Sequence, residues 1–255
     1  MYILESVNEL SLRATCTDGH GALFTKAGAM IAYRGNCNFE KVLLGPQGNP
    51  VTAMLGQIGR RFTGENMPLM KVKTRGQSES YYANLAQHVT VITLPQGMSL
   101  CVESENLLAF TDTCNYSVKF LAQGVISQKG LFTTVLTGAG PGAQVAITTE
   151  GNPILLDTPC CVDPDAHIAH VGADPSFKLD LSWKNLIGQA SGESYMFEYK
   201  NHGGKVIVQP SERKSGLDIS IDSRNSAPPT PSYSNNTNNN NNQNDLGNIL
   251  GNIFR

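Results

Sequence analysis

The segment AMIAYRGNCNF at residues 29–39 decides the fold, because related segments return twice further along the chain. They are LLAFTDTCNY at 107–116 and HIAHVGADPSF at 167–177. In each, an apolar residue precedes an alanine, and an aromatic residue follows that alanine seven or eight positions later. The residues between them are small or polar and of the turn-forming kind. The pattern predicts a strand, a turn and a second strand in each segment.

A second part of the unit also recurs, and it combines an apolar run, a glycine-containing turn and another run. The three versions are LMKVKT, RGQS and a looser YYA between 69 and 83; LFTTVLT, GAGPG and QVAI between 131 and 147; and SYMFEY, NHGG and VIVQ between 194 and 209. Glycine adopts positive φ angles without steric cost, so these segments predict hairpins.

We therefore predict an all-β fold for residues 1–221, built from three diverged copies of a roughly four-stranded unit of about 60–75 residues. One copy cannot bury both of its faces. Three copies in a pseudo-threefold arrangement can close on themselves and leave few free edges. The body is expected to be three small β-sandwiches or one rolled sheet, with little helix.

Composition sets limits on function. The chain has 255 residues, 40% of them hydrophobic and 16% charged, and a formal net charge of −2. This suits a buried core with a weakly charged surface and argues against a wholly basic nucleic-acid-binding surface. The beginning MYILE resembles neither a secretory signal nor a transit peptide, and the six cysteines are expected to be reduced. We expect a cytoplasmic protein without a transmembrane segment.

The composition changes after residue 221. Residues 222–244 are rich in Pro, Ser and Asn and predict a disordered linker. Residues 245–255, DLGNILGNIFR, predict a short amphipathic docking segment. Its apolar side chains fall at i, i+3, i+4, i+7 and i+8 and are Leu246, Ile249, Leu250, Ile253 and Phe254. Such a short helix is marginal in water, so it would order on a partner protein, on a membrane surface or on its own β body.

Four further segments carry a family resemblance by their order and spacing. They are GAMIAYRG at 28–35, LTGAGPGAQVAI at 136–147, VDPDAHIAH at 162–170 and GGKVIVQPSER at 203–213. Over roughly residues 20–213 the chain resembles the altered inheritance of mitochondria protein 24 family, a mitochondrial biogenesis family with many bacterial members. The resemblance implies a fold related to the double-stranded β-helix and to the tryptophan RNA-binding attenuation protein. It implies no reaction, and it links the family to inner-membrane organisation and to stress genes.

Two groups of residues are weak candidates for a site. Asp165, His167 and His170 are candidate metal ligands, but strand alternation places His170 on the face opposite to the other two. Lys71, Lys73 and Arg75 alternate along a strand and share one face near Tyr81 and Tyr82, which is a candidate nucleic-acid surface or a solvated strand face. The GAGPG segment resembles a phosphate loop, but a strand follows it, so we predict a tight turn.

No catalytic constellation is recognisable, and no cofactor is expected. The first hypothesis is a non-enzymatic interaction or scaffold protein, acting in stress response or membrane organisation, whose tail docks to a protein partner. The second is a module that binds a small ligand or nucleic acid, using clefts between the copies. The third is a cupin-like metal-dependent enzyme. A pocket combining His167 and His170 with a Cys or Asp would favour the third, and a largely filled body would favour the first.

Overall fold

The computed structural model describes residues 1–42, 69–120, 132–179 and 195–211. This part of the chain is all-β, as predicted, and its only helix is a 3-10 turn at Ser104–Asn106. The strands are β1 (Tyr2–Ser6), β2 (Leu12–Cys16), β3 (Leu23–Lys26), β4 (Met30–Val42), β5 (Leu69–Tyr82), β6 (His88–Thr93), β7 (Ser99–Val102), β8 (Leu107–Thr111), β9 (Cys114–Phe120), β10 (Phe132–Gly138), β11 (Gln144–Thr149), β12 (Ile154–Asp157), β13 (Cys160–Val162), β14 (His167–Val171), β15 (Ser176–Leu179), β16 (Tyr195–Tyr199) and β17 (Lys205–Val208).

The described strands form three antiparallel sheets. The first has the order β1-β2-β5-β3-β8-β11-β6, with β4 also paired to β5. The second has the order β12-β17-β14-β7-β10-β9, and the third has the order β13-β16-β15. The ends of the first sheet approach each other: the Val89 N–H in β6 donates to the Glu9 carbonyl oxygen after β1 at 2.6 Å. The first sheet is therefore nearly closed on itself.

Three antiparallel ribbons recur in this arrangement. In the first ribbon β4 pairs with β5. In the second, β8 pairs with β11 and β9 pairs with β10. In the third, β14 pairs with β17 and β15 pairs with β16. In each ribbon the pairing register shifts by one residue at the position before the alanine of the predicted segment. These extra residues are Ile31, Leu108 and Ile168. Each is a β-bulge, which leaves one residue unopposed and changes which side chains share a face.

The structure corrects the predicted turn in the first segment. β4 is one continuous strand of 13 residues, and β5 is one continuous strand of 14 residues. Gly35 and Gly76 have φ angles of 95° and 79°, but the chain keeps its direction through both. Because β4 and β5 pair with each other along their length, their ladder continues past the glycines and no turn forms.

The predicted hairpins are also wrong, although the GAGPG turn is confirmed. β10 and β11 flank this turn but lie in the second and first sheets, and β16 and β17 likewise lie in different sheets. The chain turns a corner at these places instead of doubling back. A glycine turn allows either course, and the choice of partner strand depends on distant residues.

The core lies between the sheets, where two described clusters of buried apolar side chains flank β8. All five residues of β8 are buried, because this strand lies within a sheet and is covered on both faces. Phe110 of β8 stacks on Phe24 and Tyr116, with ring centroids 5.0 and 5.7 Å apart. A smaller cluster around Phe197 packs the third sheet against β17.

The described residues all belong to one compact unit, Met1–Lys214. The boundary predicted near residue 222, the linker at 222–244 and the segment at 245–255 lie outside the described residues. All six cysteines are free. No helix among the described residues is long and apolar enough to span a membrane.

Candidate functional site

An open apolar groove of about 740 Å³ lies between the edge strands β6 and β12. Its walls also include the segment that leads into β7, the end of β14 and the beginning of β17. The apolar lining residues are Val89, Val91, Ile92, Leu94, Met98, Leu100, Ile154, Leu155, Val171 and Ile207. Ile154 and Leu155 of β12 are 50% and 58% exposed and extend the apolar surface of the groove into one contiguous patch.

A few polar side chains also line the groove. His88 of β6, Lys205 of β17 and His170 of β14 are among them. The Lys205 ammonium pairs with the Asp157 carboxylate at 2.6 Å. The groove therefore combines mainly apolar walls with a small number of polar groups, which is the usual composition of a small-molecule site.

His170 joins this groove to a buried polar cluster. Sequence alternation placed His167 and His170 on opposite faces of β14, and this prediction is wrong. Their rings lie side by side, with 3.3 Å between His170 Nδ1 and His167 Nε2. The bulge at Ile168 adds one residue to the strand, so positions 167 and 170 point to the same side.

Hydrogen-bond and charge contacts continue on both sides of the histidine pair. His167 Nδ1 lies 3.4 Å from a carboxylate oxygen of Glu103, which follows β7. His170 Nε2 lies 3.4 Å from Asp174 Oδ1. The other Asp174 oxygen accepts a hydrogen bond from the Lys119 ammonium of β9. The cluster therefore draws residues from β14, from the segment after its neighbour β7, from β9 and from the loop that follows β14.

Cys101 completes the cluster, because β7 pairs with β14 so that Cys101 faces His170 across the ladder. The ligand atoms of Cys101, His170 and Asp174 all lie within 4.8 Å of one another. Asp165 is not part of this group. It lies in the turn before β14, where its N–H donates to the Asp163 carboxylate at 2.7 Å.

Burial controls the protonation of this cluster. Burial, helped by the neighbouring His167, lowers the pKa of His170 to about 4, so the ring is neutral at neutral pH. Burial raises the pKa of the Cys101 thiol to about 11. Partial burial by itself would raise the pKa of Asp174, but the hydrogen bond and charge of Lys119 outweigh it and lower the pKa.

Sequence reasoning missed Cys101 and Asp174. Asp174 lies four residues after His170 and just beyond β14, so a search beyond the strand would have found it. Cys101 is distant in sequence, and only the pairing of β7 with β14 brings it to the histidines. No feature of the local sequence indicates that β7 pairs with β14.

The basic strand face is present, but its surroundings differ from the prediction. Lys73 and Arg75 of β5 are exposed and Lys71 is half-buried, while Val72 and Thr74 between them are buried. Lys73 pairs with Glu40 at 3.4 Å. Of the two neighbouring tyrosines, Tyr82 is buried and donates its hydroxyl to Ser80, so it offers no stacking surface.

The first half of β4 forms an uncovered strand. Four of its five residues, Met30 to Arg34, are exposed, including Ile31 at 60% and Tyr33 at 51%. The strands that hold the corresponding bulges, β8 and β14, are almost wholly buried. The predicted docking residues Leu246, Ile249, Leu250, Ile253 and Phe254 lie outside the described residues.

Together these features define an all-β protein with an apolar groove beside a buried polar cluster. The chain belongs to the family described as mitochondrial biogenesis AIM24, whose family model matches residues 7–211. This confirms the resemblance read from the sequence. The crystal structure of protein SPYM3_0169 from Streptococcus pyogenes is similar, with a TM-score of 0.59 and 18% identity. The match covers 83% of this chain and 94% of that one, and at this identity it shows the fold. No match was found among the curated proteins.

Proposed function

We propose that the protein is a binding module for an apolar small molecule, held in the groove between β6 and β12. The observation that carries this proposal is the groove itself, with its volume of about 740 Å³ and its exposed Ile154 and Leu155. Small-molecule sites usually enclose about 300–1,000 Å³ and have apolar walls with a few polar groups. Leaving these side chains in water is unfavourable, and a bound apolar molecule would remove that cost.

The position of the groove also supports a ligand over a second protein. The groove is concave and lies between β6, which precedes the second recurring segment, and β12, which precedes the third, as a cleft between copies would. His88 and Lys205 supply polar groups at its wall, and these would orient a ligand that has one polar end.

The test measures binding of a fluorescent apolar dye and its displacement by a long-chain fatty acid. The full chain is compared with Ile154→Lys and Leu155→Lys. Both residues are exposed, so the fold should be retained while the groove gains a charge. We expect each substitution to weaken dye binding at least about tenfold, because a charged group in an apolar site is costly.

Ile31→Lys is the matched control, since Ile31 is equally exposed but lies away from the groove. Equal loss of binding in the control would show that the dye binds exposed apolar surface in general and not the groove, and would overturn the proposal. A version that ends at Asn244 tests the predicted docking segment. If the full chain does not bind the dye and the version without residues 245–255 does, the tail and not a small molecule is the natural occupant of the groove.

A second candidate function is a scaffold that assembles through strand pairing, and the uncovered half of β4 favours it. We infer that the three ribbons are diverged copies of one unit. The first copy joins the second through β3 and β8, and the second joins the third through β7 and β14. In both junctions the strand that precedes the bulged strand of one copy pairs with the bulged strand of the next copy. By the same rule a third junction would pair β13 with Met30 to Arg34 of β4, and no such pair occurs among the described strands.

In this proposal β13 of a second copy of the chain covers the free half of β4. β13 has three residues and is followed by Asp163 and Pro164, so the contact would be short and its association weak. Sedimentation over a range of concentrations should show reversible association. The double variant Ile31→Lys/Tyr33→Lys should remain monomeric, and Leu85→Lys, at a site 90% exposed elsewhere, should associate normally. A monomeric full chain at all concentrations would contradict this function.

The wider role stays a proposal. A ligand-binding or scaffold protein fits the expected cytoplasmic location and the link to stress response or membrane organisation that the family resemblance implies. A protein partner for the tail is a further expectation, and a pull-down that compares the full chain with the version ending at Asn244 tests it: a protein captured only by the full chain would support it, and identical capture would contradict it.

A further inference from the structure

The junctions β3·β8 and β7·β14 have the same pairing but different chemistry. In the first, Phe24 faces Phe110, and the rings stack at 5.0 Å. In the second, Cys101 faces His170 at the matching position of the ladder. A stacked aromatic pair therefore satisfies this architecture. Burying an imidazole instead requires polar partners for its nitrogens, and the second junction supplies them with His167 and Asp174.

The cluster converges on a point, as metal ligands do. Cys101 and His170 are buried, and the Asp174 side chain is 33% exposed. The 3.4 Å between His170 Nε2 and Asp174 Oδ1 is long for a hydrogen bond to a carboxylate. Two ligands about 2.1 Å from a tetrahedral ion lie about 3.4 Å apart, so this separation suits a shared metal.

The neighbours of these three residues would hold them in the required state. A proton on His170 Nδ1 donated to His167 Nε2 leaves the lone pair of His170 Nε2 directed at Asp174. The Glu103 carboxylate, 3.4 Å from His167 Nδ1, favours a proton on that nitrogen and so leaves His167 Nε2 as the acceptor. Lys119 binds the second oxygen of Asp174 and leaves the first oxygen available. Supporting contacts of this kind orient the ligands of known metal sites.

A buried polar group near the cluster is a second, independent observation. The Tyr199 hydroxyl is buried and has no hydrogen-bond partner in the part of the chain that the structure describes. Its ring lies 5.3 Å from the ring of His170. Buried polar atoms in native proteins nearly always have a partner, so an unpaired hydroxyl here points to a missing ligand or a metal-bound water.

The same residues do not form a nucleophile relay. A relay needs the thiol at one nitrogen of the imidazole and a carboxylate at the other. In this cluster His167 and Asp174 take the two nitrogens of His170, and Cys101 has no hydrogen bond among the described residues. The raised pKa of the thiol also makes it a poor nucleophile without a metal.

We propose that Cys101, His170 and Asp174 bind one divalent transition-metal ion, and that zinc fits their donor set best. Zinc accepts thiolate sulfur, imidazole nitrogen and carboxylate oxygen as ligands, and three protein ligands leave a fourth position for water or for a ligand. On binding, the thiol releases its proton to solvent and the sulfur bonds to the metal. Since His170 also lines the groove, the open position would lie beside the apolar site.

The experiment uses the full chain purified without a histidine tag. Metal is removed by chelation, and cobalt is then titrated as a spectroscopic probe that is displaced by zinc. We expect saturation near one equivalent, with a thiolate-to-cobalt absorption band. Cys101→Ser should abolish that band, and Asp174→Asn and His170→Phe should each weaken binding by about tenfold or more. His170→Phe copies the aromatic residue found at Phe110 and should therefore fold.

The matched control is the double variant Cys161→Ser/His202→Gln, which removes an exposed thiol and an exposed imidazole. It should bind cobalt as the unmodified chain does. Absence of binding near one equivalent in the full chain overturns the proposal, and so does a thiolate band that survives Cys101→Ser. If His170→Phe loses its β-sheet circular dichroism, Asp174→Asn decides the question, because the Asp174 side chain is 33% exposed and the substitution keeps its size.

Discussion

At the scale of single residues, His170 makes stability depend on pH. Its pKa is about 4 in the folded protein and 6.5 as a free group. As the pH falls from 6.5 to 4, the unfolded chain binds a proton there and the folded chain does not. The free energy of unfolding should therefore fall, by roughly 3 kcal/mol for this group. Above pH 6.5 its contribution is constant, because the ring is neutral in both states.

Chemical denaturation of the metal-free chain between pH 4 and 7 checks this expectation. His170→Phe should flatten the dependence, because it removes the titrating group from among Cys101, Glu103, His167, Asp174 and Lys119. His20→Gln, an exposed site, should retain the slope of the unmodified chain. An unchanged slope in His170→Phe would show that another group titrates in this range.

Two glycines of the GAGPG turn differ in the space that a side chain would have. A Cβ at Gly138 would lie 2.4 Å from the Pro95 carbonyl oxygen and 2.8 Å from that of Leu94, and backbone atoms cannot easily move away. A Cβ at Gly140 meets nothing within 4 Å. We expect Gly138→Ala to lower the free energy of unfolding by about 1–3 kcal/mol and Gly140→Ala to change it by less than about 0.5 kcal/mol. Equal effects in thermal unfolding would contradict the close approach seen at Gly138.

At the scale of elements, the β3·β8 junction joins two strands through a stacked pair of buried aromatic side chains. Phe24 is 4% exposed and stacks on Phe110. Phe24→Ala should lower the free energy of unfolding by about 3–5 kcal/mol, because it removes the stack and leaves a cavity. Tyr33→Ala is the matched control on an uncovered strand and should cost less than about 1 kcal/mol. Denaturant midpoints measure both, and a small effect at Phe24 would mean that the junction relaxes around the gap.

At the scale of the whole molecule, the scaffold hypothesis predicts head-to-tail association. Ile31→Lys/Tyr33→Lys blocks the β4 side, and Cys161→Pro disrupts the β13 side by placing a proline at the exposed middle position of this three-residue edge strand. Each variant should be monomeric, and an equal mixture should form dimers, because each chain retains one competent edge. Sedimentation velocity distinguishes the three samples. A mixture that stays monomeric would exclude pairing between these two edges.

The sequence by itself determined the all-β class, the scarcity of helix and the turn at GAGPG. These follow from local rules: apolar alternation, β-branched residues and glycine act over a few neighbours. The family was also readable, because the four segments keep their order and spacing. In the same way the alternation of Lys71, Lys73 and Arg75 with buried residues followed from the period of a strand.

Only the tertiary structure decided which strands pair, and the candidate site depends on that choice. The bulge at Ile168 turned His170 to the side of His167, and the pairing of β7 with β14 brought Cys101 to meet it. The groove likewise exists because β6 and β12 end different sheets. Strand pairing joins residues far apart in sequence, and a shift of one residue reverses every side chain. Local patterns therefore cannot fix it, and the packing of the whole body does.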